Sequence, residues 1–208
     1  MKNKYSFPLS VLLVVAIVAT WSFILPHDRF TWVLEAFPIF IAVPLLILTY
    51  ARFTLSGFVY GAIGVHCMIL LVGAHYTYAE VPFFNWLRDT FDLSRNYYDR
   101  VGHFVQGAVP ALVIREILLK TSPLTRGKWL FTIIVFSCLG ISALYELLEW
   151  AVADFTGESA EAFLGTQGDI WDTQKDMALA GIGAVLSLLC LGKWHDRSMY
   201  VTSATLTS

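Results

Sequence analysis

The sequence carries little charge and contains few cysteines. Charged residues make up 14% of its 208 residues, about half the share that is usual in soluble domains. The formal net charge is only -2 at pH 7 and no concentrated basic face is present, which excludes nucleic acid as an expected partner. The three cysteines lie inside apolar runs and are odd in number, so the sequence has neither a disulfide framework nor a zinc-binding spacing.

Several familiar enzyme motifs are also missing. The sequence contains no Walker loop, no G-x-S-x-G and no H-E-x-x-H. Their absence argues against nucleotide hydrolysis and against the classical serine and zinc proteases. Nothing in the sequence indicates residues that would bind an organic cofactor.

Long apolar runs are what the sequence has in abundance. Hydrophobic residues make up 57% of the chain, and apolar runs near 20 residues recur, each long enough to cross about 30 Å of hydrocarbon. We therefore predict an all-α, polytopic transmembrane helix bundle with about six spans, which forms a single integral membrane domain over residues 1–208. The predicted spans are residues 7–25, 30–50, 55–78, 97–119, 129–151 and 172–192.

The basic residues predict how these spans are oriented, because Lys and Arg are enriched in cytoplasmic loops. The side that holds the N-terminus carries the larger set: Lys2, Lys4, Arg52, Arg115, Lys120, Arg126, Lys128, Lys193 and Arg197. The opposite side carries Arg29, Arg88, Arg95, Arg100 and Lys175. We therefore predict that both termini are cytoplasmic.

Two segments have a composition of their own. Gly57, Gly61 and Gly64 form a small-residue face in the third span, which favours close packing of another helix. Residues 79–96 mix aromatic and charged side chains, a pattern that is typical of a segment lying among lipid headgroups.

Acidic residues are sorted between the two sides even more sharply than the basic ones. Only Glu116 and Asp196 fall on the predicted cytoplasmic side, and the other acids lie on the outer side or within the outer leaflet. Several of them occur at helical spacing, such as Asp99 with His103, which is four residues later. We predict one pocket at which five side chains from different spans converge: Asp99, His103, Glu146, Asp172 and Asp176.

Carboxylates inside helix ends are costly in a bilayer, so they pair with one another, with water or with a cation. Several of these acids must be protonated, or a divalent cation or basic group must compensate them. Carboxylates with one or two histidines suit Mn, Fe, Zn or Mg. The predicted metal ligands are His103, Glu146, Asp172 and Asp176. The predicted catalytic residues are Asp99, His103, Glu146 and Asp176, with Asp99 and His103 as a ligand or acid/base pair.

Simpler interpretations remain open for the same residues. Arg100 and Lys175 could form structural ion pairs with these acids, and a helix-capping role could explain an Asp near residue 172. Other polar residues are expected to have structural roles: Asp154, Glu158 and Glu161 in an exposed loop, His66 as a hydrogen-bonded core histidine, and Arg115 with Glu116 as an inner-leaflet anchor.

Three stretches carry a family resemblance that extends over nearly the whole chain: residues 96–104, 145–150 and 165–176. In them the sequence closely resembles the YjdF-type family of uncharacterised bacterial inner-membrane proteins. The resemblance implies a multi-pass protein of the bacterial inner (plasma) membrane.

The half of the chain from Asp99 onward is more distantly similar to the VanZ-like group. That group has an Asp-Lys-x-x-His-Phe opening, a later helical Glu, and an Asp before a small-residue helix. The matching residues are Asp99, His103, Phe104, Glu146, Asp176, Gly181 and Gly183. Two positions depart from the pattern: Arg100 stands where the group has Lys, and Ala180 stands where it has Asn.

The leading functional hypothesis is an outward-facing pocket that binds or acts on a lipid or lipid-linked envelope substrate, with a divalent metal as its cofactor. A proton- or cation-coupled carrier is the first alternative, and a non-enzymatic structural or partner-binding membrane protein is the second. The lipid bilayer is the one expected partner, and the sequence leaves the substrate, the metal and the oligomeric state open.

Overall fold

The computed structural model describes residues 6–156 and 165–206, and side chains in the last helix as far as Tyr200. Within these residues the chain forms seven α-helices, one short 3-10 helix and no strand. The α-helices are α1 (Ser6–Phe23), α2 (Arg29–Thr49), α3 (Gly57–Tyr76), α4 (Pro82–Phe91), α5 (Tyr98–Thr121), α6 (Lys128–Thr156) and α7 (Asp172–Leu206). The 3-10 helix, Tyr78–Glu80, lies between α3 and α4. The all-α prediction is confirmed.

Six of the described helices are long and apolar enough to cross a membrane: α1, α2, α3, α5, α6 and α7. Large apolar side chains cover their outer surfaces, such as Leu13, Leu48 and Phe136, which are 62%, 78% and 68% exposed. Such a surface is stable only in contact with lipid. The prediction of a six-span membrane bundle is therefore confirmed.

The last two spans are longer than predicted. α6 continues to Thr156 rather than residue 151, and α7 continues to Leu206 rather than residue 192. The apolar run marks only the part of a helix that contacts hydrocarbon, and the helical backbone extends beyond it. In α7 the extension carries His195 and Asp196, which belong to a polar network. At 1.5 Å per residue, the 35 residues of α7 extend about 52 Å, well beyond about 30 Å of hydrocarbon.

Glycines set the closest helix contacts. α5 and α7 form the central pair, and a Cβ atom at Gly107 or Gly183 would overlap the backbone of the facing helix. α1 packs on the predicted glycine face of α3, where Gly64 contacts Val11. The backbones approach closely because glycine has no side chain, as in other membrane bundles.

Local signals explain where the helices begin. Asp28 caps α2 by accepting a hydrogen bond from the Thr31 amide at 2.6 Å, and this bond lowers the pKa of the Asp28 carboxyl. α4 begins at Pro82, which needs no amide partner in the first turn. α4 exposes Phe83, Trp86 and Phe91. The placement of α4 among lipid headgroups stays a prediction.

Of the acids expected in an exposed loop, Asp154 is exposed near the end of α6. Glu158 and Glu161 lie outside the described residues.

Candidate functional site

A buried polar cluster lies at one end of the bundle, where α5 and α7 begin and α6 approaches its end. We call it the His103 cluster, and its members are Arg95, Asp99, Arg100, His103, Glu146, Glu149, Asp169, Asp172 and Asp176. Its members are buried except Asp169, whose side chain is 19% exposed. The helices alternate in direction, so the start of α5, the end of α6 and the start of α7 meet at one depth.

His103 stands at the centre of three carboxylates. Its Nε2 is 3.4 Å from Asp99 Oδ1 and 4.0 Å from Asp176 Oδ1, and its Nδ1 is 3.6 Å from Glu146 Oε1. The structure thus brings together four of the five residues for which one pocket is predicted, and they come from three helices. Their catalytic and ligand roles stay predictions.

Asp172 lies in the same cluster but has a different environment. Its Oδ1 contacts Arg95 and accepts a hydrogen bond from Arg100 Nη2 at 2.6 Å. Arg100 also pairs with Asp176 and with Asp169, the latter at 3.0 Å. The structural ion pairs expected for Arg100 are therefore present, and a metal ion at Asp172 would have to displace two guanidinium groups.

Arg95, Glu149 and Asp169 belong to this cluster but were not among the predicted site residues, and Arg95 is the basic residue among them. It lies in the segment assigned to the headgroup region, yet it is only 4% exposed. It donates to the carbonyl oxygens of Gly165 at 2.8 Å and Thr166 at 3.3 Å, and to Asp99 Oδ2 at 3.4 Å. The spacing of four residues between Arg95 and Asp99 was the signal available in the sequence.

The residues best placed to hold a metal are Asp99, His103 and Asp176. Each offers one ligand atom, and these atoms all lie within 4.8 Å of one another. Gln106 Oε1 accepts a hydrogen bond from His103 Nδ1 at 2.9 Å, so Nε2 faces the two carboxylates and, when it carries no proton, can bind a cation. This set shares His103 and Asp176 with the predicted ligands, but it contains Asp99 in addition and lacks Glu146 and Asp172.

The balance of charge also favours a cation. The cluster buries two guanidinium groups, those of Arg95 and Arg100, but five carboxyl groups: those of Asp99, Glu146, Glu149, Asp172 and Asp176. Glu146 Oε1 is buried and has no hydrogen-bond partner among the described residues. Protons, a charged His103 or a bound cation must compensate the excess of acid.

An apolar cavity of about 360 Å³ leads to the cluster from between α2, α3, α5 and α6. Its polar end is formed by Tyr78, His103, Gln106 and Tyr145. Its other lining residues are largely apolar: Pro38, Ile39, Ala42, Leu45, Leu46, Ile63, His66, Cys67, Leu70, Gly102, Val109, Pro110, Val113, Ile114 and Ile141. Along α5 it extends from Gly102 to Ile114, a rise of about 18 Å.

The other side of the cluster is covered by the segment that precedes α7. Gln167 exchanges two hydrogen bonds with the backbone of Asn96, at 2.9 and 3.0 Å, and Gly165 lies against Asp99. Among the described residues, the cavity is therefore the open approach to His103.

Two other polar residues, Glu35 and His75, have separate roles. Glu35 accepts hydrogen bonds from Thr77 Oγ1 and from the Tyr78 amide, both at 3.2 Å. His75 stacks on Trp21 with ring centroids 4.4 Å apart and does not join the cluster. His66 lines the cavity, and its Nε2 has no hydrogen-bond partner, so the bond expected of a core histidine is not found at this atom.

A second buried network lies at the opposite end of α5 and α7. We call it the Glu116 cluster, and its members are Ser56, Arg115, Glu116, Lys120, His195 and Asp196. Arg115 donates to His195 Nδ1 at 3.2 Å and to Asp196 Oδ1 at 2.8 Å. Arg115 and Glu116 are 7% and 0% exposed, so the prediction of an inner-leaflet anchor was wrong. Both side chains instead join helices inside the bundle.

The fold and these clusters define a class: a polytopic helical membrane protein with a buried acidic and histidine cluster at one end. The family model described as "Predicted membrane protein (DUF2238)" matches residues 7–197, and the chain belongs to this family. It is 43% identical over 187 residues to "Inner membrane protein YjdF" of Escherichia coli (strain K12), and the match covers 90% of each chain. No solved structure matches the chain.

The YjdF-type resemblance and the inner-membrane location are thereby confirmed: the chain is a multi-pass inner-membrane protein surrounded by the lipid bilayer. Neither match bears on the VanZ-like likeness, which stays a prediction.

Proposed function

We propose that the protein binds a divalent cation at Asp99, His103 and Asp176 and holds a lipid or lipid-linked substrate beside it. The hydrocarbon chain of the substrate lies in the apolar cavity, and its polar group lies at the His103 cluster. The observation that carries this proposal is that His103 belongs to both sites: it lines the cavity together with its hydrogen-bond partner Gln106, and it faces the carboxylates of the cluster.

The environment of the cavity supports a lipid rather than a water-soluble substrate. Its walls are apolar side chains of helices that cross the membrane, while hydrogen bonds hold residues 165–172 over the opposite side of the cluster. A molecule entering from the hydrocarbon region would pass largely apolar side chains before it reaches His103. A water-soluble molecule would have to leave its hydration shell on the same route.

The cluster contains the groups that acid/base chemistry on such a substrate needs. A cation bound there would polarise a phosphoryl or carbonyl oxygen. Glu146 Oε1, 3.6 Å from His103 Nδ1 and without a hydrogen-bond partner, is free to take up or release a proton. Arg100 keeps Asp176 in place through its ion pair.

Metal analysis of the purified protein tests the cation site. We expect the wild type to retain a divalent metal, and His103→Ala and Asp176→Asn to lose it, because each removes one ligand atom of the set. Glu80→Gln is the control, since Glu80 is exposed and lies outside the cluster. Equal metal content in the wild type and His103→Ala would overturn the assignment.

A paired substitution tests the lipid site. Val113→Trp fills the cavity wall, whereas Val33→Trp adds the same bulk on an exposed surface of α2. We expect native mass spectrometry to show bound lipid on the wild type and on Val33→Trp, but not on Val113→Trp. Equal lipid retention in both variants would contradict the proposal.

If the site is catalytic and does not only bind its substrate, His103→Ala and Glu146→Gln should remove activity while membrane insertion stays intact. The readout is the sensitivity of cells to envelope stress. If both variants behave as the wild type does, the catalytic roles are wrong, and a carrier and a structural or partner-binding protein are the remaining candidates.

A proton- or cation-coupled carrier is the second candidate, and buried hydroxyl groups favour it. Ser142 and Ser187 are buried, and their Oγ atoms have no hydrogen-bond partner in the part of the chain that the structure describes. Ser187 lies on α7 between the two clusters, so polar groups occur at both ends and in the middle of the bundle. Proton flux into liposomes that contain the protein, with His103→Ala as control, tests this candidate. Flux equal to that of empty liposomes rejects it.

The orientation of the bundle belongs to the same proposal: both termini are cytoplasmic, and the His103 cluster faces outward. A cysteine-free background with Arg88→Cys or Glu158→Cys should react with a membrane-impermeant maleimide in intact cells. Labelling only after the inner membrane is permeabilised would reverse the orientation and put the site on the cytoplasmic side.

A further inference from the structure

Tyr78 is held in one position by contacts on every side. A Cβ atom at Gly73 would overlap its ring, and a Cβ at Gly102 would lie 3.4 Å from its Cε2. The Tyr98 ring packs edge-on against it with centroids 5.7 Å apart. Its amide donates to Glu35 Oε1. The ring therefore occupies a slot that requires glycine at position 73.

The backbone before Tyr78 adopts a conformation that few residues take. Thr77 has φ = 60°, a left-handed conformation that is unfavourable for a β-branched side chain. The Thr77 hydroxyl donates to Glu35 Oε1 at 3.2 Å, which helps to hold this turn. Unfavourable backbone geometry of this kind persists where the surrounding structure enforces it, and it is frequent at ligand sites.

The hydroxyl group of Tyr78 is the exception to this close packing. The residue is 9% exposed and lines the cavity together with His103 and Tyr145, and its Oη atom has no hydrogen-bond partner among the described residues. A buried phenol without a partner is unfavourable, so the arrangement favours an acceptor supplied by a ligand. Burial raises the pKa of the Tyr78 hydroxyl, which therefore remains a donor.

We propose that Tyr78 recognises the linkage region of the bound lipid, by donating a hydrogen bond to the carbonyl oxygen of an acyl ester. This inference rests on the proposed function and specifies its substrate class as an ester-linked lipid. Tyr78 lies where the apolar walls of the cavity meet its polar end, and the ester group of a lipid lies at the corresponding boundary between chain and headgroup. The methylene chain has no acceptor to offer, and a headgroup phosphate would lie further on, at the cation site.

Binding of two matched lipids tests this role. The probes are a diacyl phosphatidylglycerol and its dialkyl ether analogue, which lacks the ester carbonyl, each titrated into protein in detergent and followed by native mass spectrometry. The wild type should bind the ester lipid roughly tenfold more tightly than the ether lipid. Tyr78→Phe, which keeps the ring in its slot, should bind the two equally.

Tyr98→Phe is the matched control, because the Tyr98 hydroxyl already donates to the Ile69 carbonyl oxygen at 2.7 Å and Tyr98 does not line the cavity. It should keep the preference for the ester lipid. The role of Tyr78 is overturned if the wild type shows no preference, or if Tyr78→Phe keeps it.

The same titration separates this inference from the proposed function. If Val113→Trp weakens both lipids while the wild type does not distinguish them, the cavity binds lipid and only the role of Tyr78 falls. If Val113→Trp weakens neither lipid, the lipid site and the role of Tyr78 fall together.

Discussion

The two buried polar clusters occupy opposite ends of the same two helices, and they differ in how completely their atoms are paired. Glu116 accepts four hydrogen bonds: from the Ser56 amide and hydroxyl at 2.7 Å, Lys120 at 2.6 Å and His195 Nε2 at 2.9 Å. In the His103 cluster, Glu146 Oε1 has no such partner, and the cluster borders a cavity.

This difference in hydrogen-bond pairing distinguishes the Glu116 cluster, a structural network, from the His103 cluster, the proposed binding site. His195 is neutral in its network, because Nδ1 accepts from Arg115 while Nε2 donates to Glu116. With both ring nitrogens used, His195 has no lone pair left for a ligand. His103 has one nitrogen fixed by Gln106 and the other facing carboxylates, which is the arrangement of a metal-binding histidine.

The largest predicted effect on stability concerns the Glu116 cluster, whose polar atoms are paired more completely. Glu116→Leu should lower the free energy of unfolding by about 3 to 5 kcal/mol, because the positive charge of Lys120 and the polar groups of Ser56 and His195 lose their common partner. Thermal unfolding in detergent measures it, with Glu80→Leu as an exposed control. Equal melting temperatures in the two variants would show that the network does not hold the helices.

A smaller effect is expected at the cation site. Gln106→Leu removes the acceptor that orients His103, and it should weaken binding of the metal roughly tenfold to a hundredfold with little change in melting temperature. Metal titration measures the affinity. Gln174→Leu, an exposed position on α7, is the control. A loss of stability without a loss of affinity would place Gln106 in the structural class with Glu116.

The smallest effect concerns pH and the segment that covers the His103 cluster. Hydrogen bonds from Lys175, at 2.7 Å, and from the Trp171 amide lower the pKa of Asp169 below 3.8. A lowered folded-state pKa stabilises the fold above the unfolded value, and this contribution is lost as the pH falls through the folded value.

Asp169→Asn should therefore lower the melting temperature slightly at pH 7, and the difference from the wild type should shrink below pH 3.8. Thermal unfolding of the wild type and of Asp169→Asn, at pH 7 and at a pH below 3.8, measures this difference in melting temperature. A difference that stays constant would show that the charge of Asp169 contributes nothing.

The fold could be predicted from the sequence because the physical signal is strong and local. Each span is an apolar run of the required length, and helical spacing with alternating direction was enough to bring Asp99, His103, Glu146 and Asp176 together. The ends of α6 and α7 were missed because hydropathy measures the contact with hydrocarbon and not the length of a helix.

The partners within each cluster could not be predicted. Asp172 and Asp176 both lie near the start of α7, yet Arg95 and Arg100 converge on Asp172 while Asp176 also faces His103. That choice depends on side-chain conformations and on the path of residues 165–172. His195 was missed for a similar reason, since its partner Glu116 is 79 residues away and no periodicity links them.

The length of α7 has a mechanical consequence. The helix carries Asp176 near one end and His195 near the other, about 28 Å apart along its axis. Its closest contact with α5 lies between them, at Gly107 and Gly183, and nearer to Asp176. α7 could thus tilt as a rigid helix about this contact, which lies closer to Asp176 than to His195. If α7 tilted as a rigid helix, a movement of Asp176 toward a ligand would shift His195 further and in the opposite direction.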